Sequence, residues 1–140
     1  MSQHTVLIVE DDTNQRALYQ EELSEEGYRV LTAADGREAL SIAREHRPDL
    51  VILDVNMPVM DGLDTLSYLL EIDSRLPVVI NTAYASYRDS FNSWSADAYI
   101  VKSSDLAELK NTVRRLLIQK AARQDKAAAG SSASTQPAGS

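Results

Sequence analysis

A chain of 140 residues with 14 Lys and Arg against 21 Asp and Glu carries a formal charge of −7 and has the length of one domain with a sizeable core, at about 100–200 residues per domain. The absence of cysteine excludes disulfide scaffolds, thiolate metal sites and cysteine nucleophiles, and the acidic balance argues against a nucleic-acid groove, which needs clustered Lys and Arg. No apolar run approaches the ~18 residues of a membrane span, and Met1-Ser2-Gln3-His4 opens no signal-peptide core, so the chain reads as cytoplasmic, with no membrane and no nucleic-acid contact. Val6-Leu7-Ile8-Val9 opens the series of elements as a short, largely β-branched run of the kind buried on both faces. A helical pattern over 14–26 follows, and Gly27 stands where its C-terminal turn belongs. A weaker extended run, Arg29–Ala33, leads to a helix over Gly36–His46. The strand Leu50–Leu53, a helix over Gly62–Ile72 and the strand Val78-Val79-Ile80 come next. A helix over 86–95, the strand Ala98–Val101 and a helix over 105–119 complete the series. That last helix carries Leu106, Leu109, Val113, Leu116 and Leu117 on one stripe and opens with the capping pattern Asp105-x-x-Glu108. Five strand–helix repeats predict an α/β fold with a parallel sheet covered on both sides. Residues 1–120 form the domain, and 121–140 an Ala/Ser/Gly-rich flexible tail, too small and polar from Ala127 onward to bury a face.

In an open parallel sheet, ligands bind outside the carboxyl ends of the strands. The first strand is followed by Glu10-Asp11-Asp12, the third by Asp54-Val55-Asn56-Met57-Pro58, the fourth by Asn81-Thr82-Ala83 and the fifth by Lys102-Ser103-Ser104. Carboxylates, one hydroxyl and one ammonium therefore converge on one edge. Asp11, Asp12 and Asp54 together are costly, because two charges 4 Å apart repel by about 4 kcal/mol at an effective dielectric near 20. A hard divalent cation relieves that, and an all-oxygen site with few protein ligands suits Mg²⁺. A single Asp is more often a helix cap or a solvated loop residue; several acids with a Thr and a Lys at strand ends outweigh that reading.

The set Glu10-Asp11-Asp12, Asp54-Val55-Asn56-Met57-Pro58-Val59-Met60-Asp61-Gly62, Thr82-Ala83 and Lys102 resembles the receiver domain of bacterial two-component response regulators. Five separated motifs match in order and spacing, over about residues 4–120. The resemblance implies a flavodoxin-like (βα)5 three-layer sandwich with strand order 2-1-3-4-5, an order carried over from the family. It implies that Asp54 is the phosphorylated aspartate, that Asp12 and Asp54 ligate Mg²⁺ directly, that Asp11 acts through water, and that the carbonyl of Asn56 completes the set. Thr82 is the hydroxyl that turns to the phosphoryl group. Lys102 pairs with Asp54 before phosphorylation and with a phosphoryl oxygen after it. Tyr99, three residues before that lysine, takes the aromatic switch position, and side chains at Asn56 and Tyr84 tune the lifetime of the phosphoryl group.

The implied function is a stand-alone signalling switch rather than a turnover enzyme. It accepts a phosphoryl group from a sensor histidine kinase or a histidine phosphotransfer protein. Output follows by contact of a downstream protein with the face built from the helix at 86–95, the fifth strand and the last helix, and phosphorylation-dependent homodimerisation stays open. Two alternatives stand beside it. One is an N-terminal receiver fragment of a longer regulator with an effector domain. The other is a Mg²⁺-dependent aspartyl-phosphate phosphohydrolase, opposed by Asn56 where such enzymes carry a second acid. The sequence departs from the family at Ser103, where receivers usually have a proline after a cis bond. Before a non-proline residue that bond costs about 2.5–4 kcal/mol, so the expectation is either a cis bond at that cost or a trans loop with Lys102 displaced. Tyr84, Tyr87, Phe91 and Trp94 fall on one helical face, read first as sheet-packing and second as a docking anchor. His4 and His46 lie away from the acids. No Gly-x-Ser-x-Gly elbow or Gly-x-x-x-x-Gly-Lys phosphate loop is present.

Overall fold

The computed structural model describes residues 3–55, 62–83 and 95–134. The short Val/Ile/Leu runs become parallel strands: β1 (Thr5–Val9), β2 (Arg29–Ala33), β3 (Leu50–Leu53), β4 (Val78–Thr82) and β5 (Ala98–Val101). They form one sheet in the order β2-β1-β3-β4-β5. Every residue of β1, β3 and β4 is buried, which is why these runs are largely apolar rather than alternating, with Thr5, Asn81 and Thr82 as buried polar residues at the strand ends. β2, at the edge, exposes Arg29 and buries only Ala33 fully.

The helices α1 (Thr13–Glu25), α2 (Gly36–His46), α3 (Gly62–Ile72) and α4 (Ala107–Ser134) cover the two faces. Because side chains alternate along a strand, Leu7, Val9, Val51, Leu53 and Ile80 meet Ala39, Leu40 and Ala43 of α2 and Leu66 and Leu69 of α3. Val6, Ile8, Leu50, Ile52, Val79 and Ile100 meet Tyr19 and Leu23 of α1 and Leu109, Val113, Leu116 and Leu117 of α4 on the opposite face. The result is the expected three-layer α/β sandwich. The helix expected over 86–95, with Tyr84, Tyr87, Phe91 and Trp94, lies outside the described residues except for Ser95.

Helix ends follow local chemistry. Asp35 caps α2 by accepting the Glu38 N–H at 2.9 Å, while the Glu38 carboxylate accepts the Ala34 N–H at 2.6 Å. α1 closes with Gly27 at φ +97°, its N–H on the Ser24 carbonyl and that of Tyr28 on Leu23, a turn whose left-handed residue favours glycine. α4 departs from expectation. The helix expected over 105–119 runs on as far as Ser134, into the segment read as a tail. The sequence at 121–129 is rich in alanine, the best helix former, and extending an existing helix avoids the cost of nucleation. Among the described residues no helix is long and apolar enough to cross a membrane.

Candidate functional site

The parallel register aligns the strand ends: Val9 pairs with Leu53, Leu53 with Ile80, and Thr82 with Val101. Backbone hydrogen bonds then carry the ladder beyond the strands. The Glu10 N–H reaches the Ala33 carbonyl at 3.0 Å, Asp54 N–H the Val9 carbonyl at 3.1 Å, and Lys102 N–H the Thr82 carbonyl at 2.7 Å. Glu10, Asp54, Thr82 and Lys102 therefore sit at one carboxyl edge on fixed main chain. Behind Asp54 the start of α3 approaches closely, so that a Cβ on Gly62 would run into the Val55 main chain. Only glycine fits there.

The side chains converge. Lys102 Nζ lies 2.6 Å from Glu10 Oε1 and 2.8 Å from Asp54 Oδ2. Glu10, Asp54 and Thr82 are 2%, 6% and 0% exposed, so the pairing takes place out of bulk water. Asp11 is exposed, and one carboxylate oxygen from each of Glu10, Asp11 and Asp54 lies within 4.8 Å of the others. Three hard oxygen donors so close fit a small divalent cation such as Mg²⁺. Burial pushes the Glu10 carboxyl above its ordinary range, and the hydrogen bonds from Lys102 and the Asp12 amide do not cancel that rise. Burial alone would lower the Lys102 pKa, but hydrogen bonds to Asp54 and Glu10 outweigh it and hold the ammonium above its usual value. Beneath the site Tyr19 of α1 hydrogen-bonds the buried side chain of Asn81.

Two expectations meet a geometry of their own. Asp12, expected as a direct metal ligand, is exposed and outside the carboxylate group. Its Oδ1 accepts the Gln15 N–H at 3.0 Å, so it is the N-cap of α1. Glu10, which the sequence reading left without a role, takes the inner position. Its Oε2 accepts the Asp12 N–H at 3.1 Å while Oε1 holds Lys102. The pattern Asp12-x-x-Gln15 is a capping signature and was the available signal. Second, no peptide bond among the described residues is cis, so Lys102–Ser103 is trans, and Lys102 still reaches both carboxylates. Its backbone bond to Thr82 sets the exit from β5, and Ser103 Oγ accepts the Asp105 N–H at 3.0 Å to shape the loop into α4.

Thr82 lies at the same edge, at the end of β4. Tyr99 is only 7% exposed, packed in the core layer shared with α2 and α3, so the structure describes a buried tyrosine. Asn56 and Tyr84 lie outside the described residues. His4 lies 3.8 Å from Asp49 and His46 3.7 Å from Glu45, neither in the carboxylate cluster.

Comparison with known proteins matches residues 6–114 to the response regulator receiver domain family. The transcriptional regulatory protein PrrA of Mycobacterium tuberculosis is 42% identical over 114 residues, 80% of this chain and 49% of that protein. The chain thus spans about half the length of the mycobacterial regulators it matches. Sporulation initiation phosphotransferase F of Bacillus subtilis is 35% identical over 119 residues, 84% of this chain and 96% of that one. Response regulator protein TrrA of Thermotoga maritima, solved in complex with Mg(2+)-BeF, superposes with a TM-score of 0.77 at 42% identity, covering 81% of this chain and 98% of that chain. TrrA has also been solved in complex with the histidine kinase ThkA, where it superposes with a TM-score of 0.75 over the same shares and identity. With its sheet order, its buried Lys102–Asp54 pair and this match along most of its length, the chain belongs to the response regulator receiver domain family.

Proposed function

We propose that this receiver is a Mg²⁺-dependent phosphorylation switch that accepts a phosphoryl group on Asp54 from a histidine kinase or a histidine phosphotransfer protein. The observation that carries the reading is Lys102 Nζ held at 2.8 Å from Asp54, with the Glu10 and Asp11 carboxylates beside it. An Asp54 oxygen attacks phosphorus in line, the P–N bond to the donor imidazole breaks, and the nitrogen leaves with a proton from solvent. The product is an acyl phosphate, which water later cleaves at phosphorus to restore the carboxylate and release inorganic phosphate. Positioning and positive charge supply nearly all the help such a transfer needs. Lys102 moves from the carboxylate to an equatorial phosphoryl oxygen, and burial strengthens that contact. Glu10, Asp11 and Asp54 would hold Mg²⁺, which when bound neutralises charge on the transferring oxygens. The Asn56 carbonyl would complete the protein ligands, and side chains at Asn56 and Tyr84 would tune the lifetime. Thr82 and Tyr99 would relay the change to the β5–α4 face, where a downstream protein or a second copy binds.

TrrA supports both halves of this reading, since it has been solved with Mg(2+)-BeF and with a histidine kinase. We further propose that this chain acts in the cytoplasm. The half-length match to PrrA favours a second reading, in which this receiver controls an effector domain in a longer regulator. The phosphohydrolase alternative is set aside in favour of the receiver family. The test is intact mass after incubation with phosphoramidate and Mg²⁺. Wild type should gain one base-labile phosphoryl group, and Asp54→Asn should gain none. An adduct that survives in Asp54→Asn overturns the assignment.

A further inference from the structure

We propose that Arg16 is a positioning residue for the metal-binding carboxylates, its guanidinium tying the β1–α1 loop into the shape that turns Asp11 toward Glu10 and Asp54. The inference rests on the reading that these acids hold Mg²⁺. The loop has only three residues, all acidic, and each side chain must point a different way. Glu10 turns inward to Lys102, Asp11 faces the cluster, and Asp12 folds back onto α1. A loop this short and this charged resists that shape unless something fixes its main chain.

Arg16 does so. It stands four residues after Asp12, on the same side of α1, and helical side chains lean toward the N-terminus. Its Nη1 donates to the Glu10 carbonyl at 2.8 Å and reaches the Asp11 carbonyl at 3.4 Å. The contact is partly buried, and it grips the two residues whose carboxylates join Asp54. Both contacts come from one nitrogen, so what makes the clamp is the reach and planar placement of the guanidinium, which the shorter lysine side chain with its tetrahedral ammonium does not reproduce.

The positional role and the bare charge of Arg16 act with opposite sign. As a nearby positive charge it repels a dication, so removing it should tighten Mg²⁺ binding. As a clamp it preorganises the ligands, so removing it should loosen binding, by about ten-fold if it behaves like other residues that orient metal ligands.

The experiment is a calorimetric titration of the full chain with Mg²⁺ alone, using wild type, Arg16→Met and Arg16→Lys, each checked for folding by circular dichroism. The expected order of affinity is wild type, then Arg16→Lys, then Arg16→Met about ten-fold below wild type. With phosphoramidate, half-saturating Mg²⁺ should rise by the same factor while the rate at saturating Mg²⁺ is kept. Equal or tighter Mg²⁺ binding by the variants overturns the clamp. Should Arg16→Met fail to fold, Arg16→Lys decides, because it keeps the charge and loses the reach and placement of Nη1. A wild type that binds no Mg²⁺ overturns the metal reading and the clamp together.

Discussion

Glu10 keeps a raised carboxyl pKa although Lys102 Nζ lies 2.6 Å from it, because its burial at the end of β1 outweighs the pairing. The sign of the stability effect follows by linkage. A folded-state pKa above the ordinary value of 4.5 means that the folded chain binds the proton more tightly than the unfolded one. Its contribution is present in full below pH 4.5 and is lost as pH rises through the folded pKa. Glutamine stays neutral and can still accept the Asp12 N–H. Metal-free Glu10→Gln should therefore gain stability relative to wild type as pH rises from 4.5 towards neutrality. Urea midpoints in EDTA across that range measure it, and a gap that narrows with pH would contradict the burial argument.

At the scale of single elements, α1 separates two neighbouring aspartates by the work each does. Asp12 closes the helix N-terminus, so Asp12→Ala should cost about 1 kcal/mol of stability and Asp12→Asn far less, since asparagine caps as well. Neither should change Mg²⁺ affinity. Asp11→Asn should reverse the pattern, with no loss of metal-free stability and strongly weakened Mg²⁺ binding. Urea denaturation beside a Mg²⁺ titration distinguishes them, and a loss of Mg²⁺ affinity in Asp12→Asn would return Asp12 to the ligand set. In the sequence this distinction rests on the capping pattern Asp12-x-x-Gln15 alone, because three consecutive acids all follow β1. Which carboxylate faces inward depends on where the strand twist ends and the helix begins, and a shift of one residue exchanges ligand and cap. The elements themselves were far more legible. The bounds of α2, α3, β2, β3 and β5 coincide with the hydrophobic pattern, because buried strands and amphipathic helices write their packing into residue spacing. The end of α4 was not legible, since the alanine-rich sequence there carries no apolar periodicity and helix propensity extends the helix to Ser134.

At the scale of the molecule, two apolar layers, one on each face of the sheet, hold the strand ends in register. That register brings one oxygen from each of three carboxylates to within 4.8 Å, with Lys102 bridging two of them. The fold therefore spends stability on the site, and a ligand that relieves the repulsion must give some of it back. Mg²⁺ binding to the folded chain alone would add RT ln(1 + [L]/Kd), about 2.7 kcal/mol at one hundred times Kd. Wild type should thus melt higher as Mg²⁺ rises, with a logarithmic dependence on concentration. Asp11→Asn removes a repelling but exposed charge, so without metal it should match or slightly exceed wild type, within the ~1 kcal/mol expected for exposed charges. With Mg²⁺ its melting point should scarcely move. Thermal scans of both proteins in EDTA and in rising Mg²⁺ measure the linkage. Equal Mg²⁺ responses in the two proteins would mean that the cation binds elsewhere on an acidic surface and that the carboxylates at the strand ends do not form its site.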